Sequence, residues 1–418
     1  MVKKRRFNRW LVVVGAVLIQ LALGAIYAWP VFTPSLEAAG WSKAQTQIVF
    51  SAGLFFFAVL TVVSGRLMPR LGPRKLALAG GIVLGAGNIL AGLVGGTNIG
   101  LLVLFIGVIG GSGIGLAYIV PIAVGMRWFP DKKGLITGLA VAGFGFGAMF
   151  WIKFAGTWGD LIEKVGLSQT FFFYGILFLA MVVVGGIWMV FPPDGWNPEG
   201  WSPPAPKRGQ VAEGTHLKSR DMLRTPQFYM IFLTFAFSAG AGLMTIGLMK
   251  LFPRDALQSS GMTPEAAGAV AGTAMAFFFS LANGFGRIAW GYLSDRLGRK
   301  LSVVLMCSSQ GILMMAFVKM AGMPSTLYLF SALIGFNFGG NFTLFPTLTA
   351  DTFGARHIGQ LYGWVFLAYG VGGILGPMLG GRLGDMGNFP LAFMICGALC
   401  FLAALLAAAV RPPRAAVE

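Results

Sequence analysis

The chain has 418 residues, of which 56% are hydrophobic and only 11% charged, with 62 Gly and a mean hydropathy of +0.77. So little charge cannot cover the surface of a soluble domain, and apolar runs of ~20 residues stand almost end to end. The composition therefore excludes a water-soluble globule, and the formal net charge of +17, confined to the connections between runs, excludes a nucleic-acid-binding domain.

Lys3, Lys4, Arg5, Arg6 and Arg9 precede the first run. That run is too long for the apolar core of a signal peptide and lacks a small-residue cleavage site, so 10–33 is predicted as a membrane span. Spans over 45–67, 76–95, 100–127, 134–156 and 170–192 follow. Arg70, Arg74 and Lys75 stand after the second span, and Arg127, Lys132 and Lys133 after the fourth. Residues 193–225 are rich in Pro, Gly and charge, including Lys207, Arg208, Lys218, Arg220 and Arg224, and read as a linker. Six more spans are predicted over 226–252, 265–291, 300–321, 325–349, 358–382 and 388–410. Arg296, Arg299 and Lys300 follow the eighth span, and Arg411 and Arg414 close the chain. The alternate connections hold few cations, among them Lys43, Lys164 and Lys319. This asymmetry predicts that both termini face the cytoplasm. Cys307, Cys396 and Cys400 all fall inside spans, with no spacing that suggests a disulfide or metal framework.

The two sets of six repeat each other. Gly65–Lys75, GRLMPRLGPRK, matches Gly291–Lys300, GYLSDRLGRK, at an offset of about 226. Gly110, Gly115 and Pro121 match Gly335, Gly340 and Pro346 at an offset of 225, as Gly134 and Gly138 match Gly359 and Gly363. The expectation is an all-α membrane protein of twelve helices in two pseudo-symmetric six-helix bundles, 1–192 and 226–418, joined by a cytoplasmic linker, 193–225. Parallel repeats of this kind belong to alternating-access carriers, which bind cargo between the halves near the midplane. Within the two connecting segments, Asp295 can meet a helix N-terminus, and Arg70, Arg74, Arg296 and Arg299 can pair with carboxylates or headgroups. These five form a candidate gate; the same charges could equally serve topology alone.

One ionisable residue stands out. Arg287 lies in the apolar run from Thr263 to Asp295, and no carboxylate is near it in that helix. A charge at membrane depth costs ~2.5–3.5 kcal/mol on insertion scales, so it faces a partner or a water-filled cavity. An anion that comes and goes is one such partner, and a guanidinium grips a planar carboxylate with two parallel hydrogen bonds. The alternative is that Arg287, two turns before Asp295, snorkels to the membrane surface. Its counterpart in the first half is Thr61, so the charge is not part of the repeated scaffold.

The repeated GxLxDRxGRK segment and twelve spans resemble the major facilitator superfamily, although Pro69 stands where the first copy of the motif has Asp. The segments Arg127–Ala148, Met222–Tyr229 and Asn283–Arg299 resemble the oxalate/formate antiporter family, which is related to monocarboxylate transporters. The resemblance implies that Arg287 binds a cargo carboxylate. It also implies that a second cation, a Lys on the eleventh span of oxalate-transporting relatives, is replaced here by Tyr369. One cation suits a monocarboxylate such as lactate, formate or pyruvate. The family's aromatic cage corresponds to Phe338, Phe342 and Phe366 with Tyr27 and Tyr118, and Asn283 takes the place of the acid that animal-type relatives carry one turn before the Arg.

The acidic residues fall in loops or at helix ends, and His216 and His357 lie in connections, so no relay for protons is visible at membrane depth. Proton symport carried by the cargo's own carboxyl and anion-for-anion exchange both remain, with proton linkage preferred. A membrane enzyme would need a nucleophile, paired carboxylates or metal ligands within the spans, and an ATP-driven pump a phosphate-binding loop; neither pattern occurs. A channel or receptor would not need the two-fold repeat. The reading is a cofactor-free, monomeric, multi-pass carrier in a bacterial-type inner (plasma) membrane, with a small organic anion, protons and lipid as its partners.

Overall fold

The computed structural model describes residues 8–41, 43–94, 96–156, 158–193, 195–201, 217–249 and 251–411. The basic residues Lys3 to Arg6, Lys207, Arg208 and Arg414 lie outside the described residues, as do His216 and much of the linker. Twelve helices are long and apolar enough to cross a membrane: α1 Trp10–Trp29, α2 Ile48–Leu71, α3 Pro73–Val94, α4 Ile99–Trp128, α5 Pro130–Ala155, α6 Leu161–Gly186, α7 Pro226–Leu248, α8 Pro264–Leu297, α9 Arg299–Met320, α10 Pro324–Phe353, α11 Ile358–Gly384 and α12 Phe389–Ala409. No strand occurs among the described residues. Only helices satisfy every backbone group within one segment, as a bilayer demands.

Local chemistry sets the ends. Thr225, Thr263 and Asn388 cap α7, α8 and α12 by accepting the N–H groups of Phe228, Ala266 and Leu391, and each helix has a Pro in its first turn. The repeated GRLMPRLGPRK and GYLSDRLGRK segments are not loops. Each is a helix end and a helix start joined through one glycine, Gly72 at φ 78° and Gly298 at φ 89°, a left-handed conformation open to glycine. These two turns mark one end of the bundle, here called the basic end. The sixth span also differs from expectation. It starts nine residues earlier, at Leu161 instead of 170, bends at Gly166 (φ 80°) and stops at Gly186. The apolar residues after it leave the helix, and the Val190 carbonyl accepts the Trp128 indole N–H at 2.7 Å.

Within the first half α3 packs on α4 and α6, and within the second α9 packs on α10 and α12. Between the halves α2 lies against α11 and α5 against α8. Glycine makes both inter-half contacts possible, because without side chains the backbones touch. A Cβ on Gly65 would lie 2.0 Å from the Gly359 carbonyl oxygen, and one on Gly134 would lie 2.5 Å from that of Gly291. These are the same contact in the two repeats, since Gly65 corresponds to Gly291 and Gly134 to Gly359. Gly138 against the Arg287 carbonyl repeats as Gly363 against that of Thr61. The sequence repeat is therefore a repeat of packing.

Three helices depart from regular α geometry, α4 among them with a π-helical stretch over Val103–Gly110. Residues Gly24–Val31 wind as a 3₁₀ helix, and Ala274–Phe279 in α8 as a π-helix. Each irregularity re-aims the residues beside it. The 3₁₀ stretch holds Tyr27; the π-helical stretch of α8 precedes Asn283 and Arg287.

Candidate functional site

Arg287 is fully buried (0% exposed), so it does not snorkel to the surface. Its guanidinium carbon lies 4.1 Å from the ring centroid of Phe342 on α10 and 5.2 Å from that of Phe144 on α5. Nε donates to Asn283 Oδ1, one turn earlier on α8, at 3.1 Å. Nη1 donates across the inter-half boundary to the Val141 carbonyl at 3.0 Å. Nη2 has no acceptor. The phenols of Tyr118, Tyr27, Tyr369 and Tyr362 lie near Arg287, and among the described residues no carboxylate forms an ion pair with it. A desolvated cation held by carbonyl dipoles and ring faces keeps its affinity for an anion, because none of these partners neutralises it.

The phenols come from three helices. Tyr27 and Tyr369 share a hydroxyl–hydroxyl hydrogen bond of 2.7 Å, which joins α1 to α11 and so one half to the other. The buried Tyr118 and Tyr362 hydroxyls lie near each other, and neither meets a partner at full hydrogen-bond geometry. Phenylalanines complete the enclosure. Phe366 lies 4.8 Å from Tyr118 and 4.9 Å from Tyr369 between ring centroids, Phe342 lies 5.5 Å from Tyr369, and Phe338 lies 5.2 Å from Phe342. Arg287, Asn283, Tyr27, Tyr118, Tyr369, Phe338, Phe342 and Phe366 are thus brought together in one continuous network.

Four members of this network are not legible in residue types alone: the Val141 carbonyl, Phe144, Tyr362 and Phe57, which stands 4.9 Å from Tyr118 and 5.0 Å from Phe366. The GFGFG run at 143–147 reads as helix packing, and its glycines do pack: Gly143 and Gly147 against α1, Gly145 against Gly284 of α8. Phe144 between them is the signal. Small neighbours draw the backbones together and leave one large ring for the interior.

Two other buried amides, Asn337 and Asn88, are committed elsewhere. Asn337 accepts from the Trp290 indole at 3.3 Å and donates to Ser309 at 2.9 Å, and Asn88 donates to the Leu84 carbonyl of its own helix. A cavity of about 50 Å³, lined mainly by apolar residues such as Trp29, Phe50 and Phe178, lies within the first half and includes none of the residues of the network around Arg287.

At the basic end Asp295 accepts the backbone N–H groups of Gly134 at 3.1 Å and Leu135 at 2.9 Å, in the first turn of regular α-helix in α5. Those groups are unsatisfied donors at a helix terminus, where negative charge is favoured. Arg299 joins Asp295 at 2.6 Å and Asp351 at 3.1 Å. Of the other charges expected at the gate, Arg296 lies 4.4 Å over the ring of Tyr292 on its own helix, and Arg74 donates to the Ile187 carbonyl within its own half. Arg70 is exposed and engages no partner among the described residues. On the symmetry-related flank, where Pro69 replaces Asp, Arg66 lies 4.6 Å over the ring of Trp364 on α11.

The family model described as Major Facilitator Superfamily matches residues 12–278 and 251–418. The MFS-type transporter YhjX of Escherichia coli is 31% identical over 88% of this chain and 86% of its own length. The oxalate:formate antiporter of Oxalobacter formigenes is 26% identical over 97% and 92%. The apicoplast pyruvate carrier 1 of Toxoplasma gondii is 25% identical over 87% and 81%. Among solved structures, that of FucP in the outward conformation shares the fold with a TM-score of 0.65, at 16% identity over 96% of this chain and 100% of that one.

Proposed function

The chain belongs to the Major Facilitator Superfamily, and from that premise we propose that it is a secondary transporter that carries a small monocarboxylate, such as lactate, formate or pyruvate, by alternating access. The observation that carries this reading is Arg287, buried with Nη2 unpaired and, among the described residues, with no carboxylate ion-paired to it. One fixed cation balances one carboxylate. A dianion would leave a net negative charge in a site walled by Phe rings, which is costly at low dielectric. Tyr118 and Tyr362 hydroxyls are available to the second carboxylate oxygen or to an α-hydroxyl, and Phe338, Phe342 and Phe366 enclose a short alkyl group. Relatives named for oxalate, formate and pyruvate support cargo of this size and class.

The moving bodies are 1–192 and 226–418, joined through 193–225, with both termini cytoplasmic in a bacterial-type inner membrane, and the site is complete in one chain. Transport is proton-linked through the cargo's own carboxyl. Asn283, an amide, holds the place beside Arg287 where an acid could have carried the proton.

Uptake of labelled lactate, formate, pyruvate and oxalate by the purified chain in liposomes, with and without a pH gradient, tests the reading. Saturable monocarboxylate uptake stimulated by an inward proton gradient is expected. Preference for oxalate, or neither uptake nor exchange of any of the four, would refute it. Tyr369→Lys restores a second cation and is expected to shift preference toward dicarboxylates by about tenfold or more, the scale of one charge-assisted hydrogen bond. Unchanged selectivity in that variant counts against the charge-matching argument.

A further inference from the structure

The contacts of Arg287 have a direction. Asn283 and Phe342 belong to its own half, but Val141 and Phe144 belong to α5 of the other. The approach of α5 is built for this. Gly138, Val141 and Gly145 lie on one helix face, at i, i+3 and i+7. A Cβ on Gly138 would stand 2.4 Å from the Arg287 carbonyl oxygen, and one on Gly145 would stand 2.6 Å from the Gly284 nitrogen. The two glycines bring the α5 backbone against α8 above and below Val141. The carbonyl between them is thereby presented to the guanidinium. At the equivalent place in the other repeat, Thr61 donates to the Phe57 carbonyl of its own helix at 2.8 Å. The cross-half bond is thus particular to the side that holds the charge.

We propose that the Val141 carbonyl and the Phe144 ring form a built-in counter-ligand for Arg287, which competes with the cargo carboxylate and lets the carrier close and return without cargo. The inference rests on the carboxylate reading above and extends it to the coupling mode: net transport is open to this protein, and exchange is not obligatory.

The physical argument concerns what a closed site must do with its cation. A guanidinium left without partners in a dry site opposes closure, because an uncompensated buried charge is strongly unfavourable. A carrier so built closes only when loaded, and it exchanges one anion for another. Here a carbonyl dipole at 3.0 Å and two ring faces supply negative potential to the cation from the protein itself. They do so weakly enough to yield. A carboxylate brings a full charge and two acceptor atoms, and its oxygen and the Val141 oxygen repel at a shared nitrogen. Loading therefore transfers the cation from a partner on α5 to the cargo, and release returns it. Because the partner sits on the opposite half, each transfer also alters the hold of one half on the other.

The test compares two fluxes of one probe, labelled lactate (formate and pyruvate as substitutes), through the full chain in liposomes with the membrane potential clamped. One is net uptake into vesicles without internal carboxylate; the other is exchange against internal lactate. Net uptake of the same order as exchange is expected. Phe144→Leu removes a ring face from the unloaded site and is expected to lower the ratio of net to exchange flux roughly tenfold, the scale of a desolvated cation–π contact. Phe144→Tyr keeps the face and is expected to restore the ratio. A merely structural role for Phe144 would lower both fluxes together. Exchange without net uptake in the unaltered protein, or an unchanged ratio in Phe144→Leu, overturns the inference and leaves the carboxylate reading standing. Absence of both fluxes with all three probes overturns the carboxylate reading itself.

Discussion

Arg287→Gln is expected to abolish carboxylate uptake, lowering it ~100-fold or more, while the protein folds as before. Truncating one member of a desolvated charge pair typically costs about 2–5 kcal/mol, much of it the penalty of leaving the other charge without a partner. Here the stranded charge is the cargo, which then has no reason to leave water. Folding is spared for the complementary reason. Removing the cation relieves the fold of a buried charge whose Nη2 is unsatisfied, and neutral replacements at such places are often stabilising. Uptake in liposomes, set beside thermal unfolding of the same preparation, separates the two effects. Arg287→Lys is expected to fail as well, since an ammonium has neither the planar fork for a carboxylate nor the flat face that meets Phe342. Full activity in the Lys variant would remove the argument from two-point recognition, and full activity in the Gln variant would remove the site.

Gly65→Val is the second large effect, and it acts on movement and not on binding. The three nearest atoms to a Cβ at this position all belong to the opposite half: the Gly359 oxygen at 2.0 Å, its carbonyl carbon at 2.8 Å and the Gln360 Cα at 3.2 Å. Backbone cannot step aside as a flexible side chain can. The added side chain therefore holds α2 away from α11 and keeps the basic end from closing. Both halves still fold, because the crowding lies between them. Transport is expected to stop, and a cysteine introduced at Gln360 is expected to react faster with a thiol reagent applied from that end. The native cysteines Cys307, Cys396 and Cys400 are buried and give little background. Normal flux in Gly65→Val would show that α2 and α11 need not meet during the cycle.

The twelve spans were legible because a bilayer asks for length and apolarity, and both are written residue by residue. Arg287 was legible for the opposite reason, as a violation of that rule. The two-fold repeat was carried by glycines, and those of α2, α5, α8 and α11 among them (Gly65, Gly134, Gly138, Gly291, Gly359 and Gly363) form inter-half contacts. What the residue types could not reveal was backbone. The Val141 carbonyl has no signature of its own, since every residue brings a carbonyl; only the spacing of Gly138 and Gly145 exposes this one. The 3₁₀ winding around Tyr27 and the π-helical turn before Arg287 are likewise invisible to periodicity, which presumes one pitch. The start of α6 escaped because Glu163, Lys164 and Gly166 interrupt its apolar run. At the gate, composition suggested more charges than geometry uses. Asp295 and Arg299 reach across or brace the boundary, whereas Arg296 and Arg74 are held within their own halves.

The replacement of Asp by Pro69 gives the two flanks of the basic end different materials. One, between α5 and α8, is fastened by a carboxylate on helix N–H groups and an adjoining guanidinium; the other, between α2 and α11, by a cation resting on indole. Dissolved ions act on the charges of the first, whereas the second draws part of its strength from contact between flat surfaces, which salt does not weaken. Concentrated salt should therefore loosen one seam and spare its twin, so that the molecule parts along a single edge like a book on its spine.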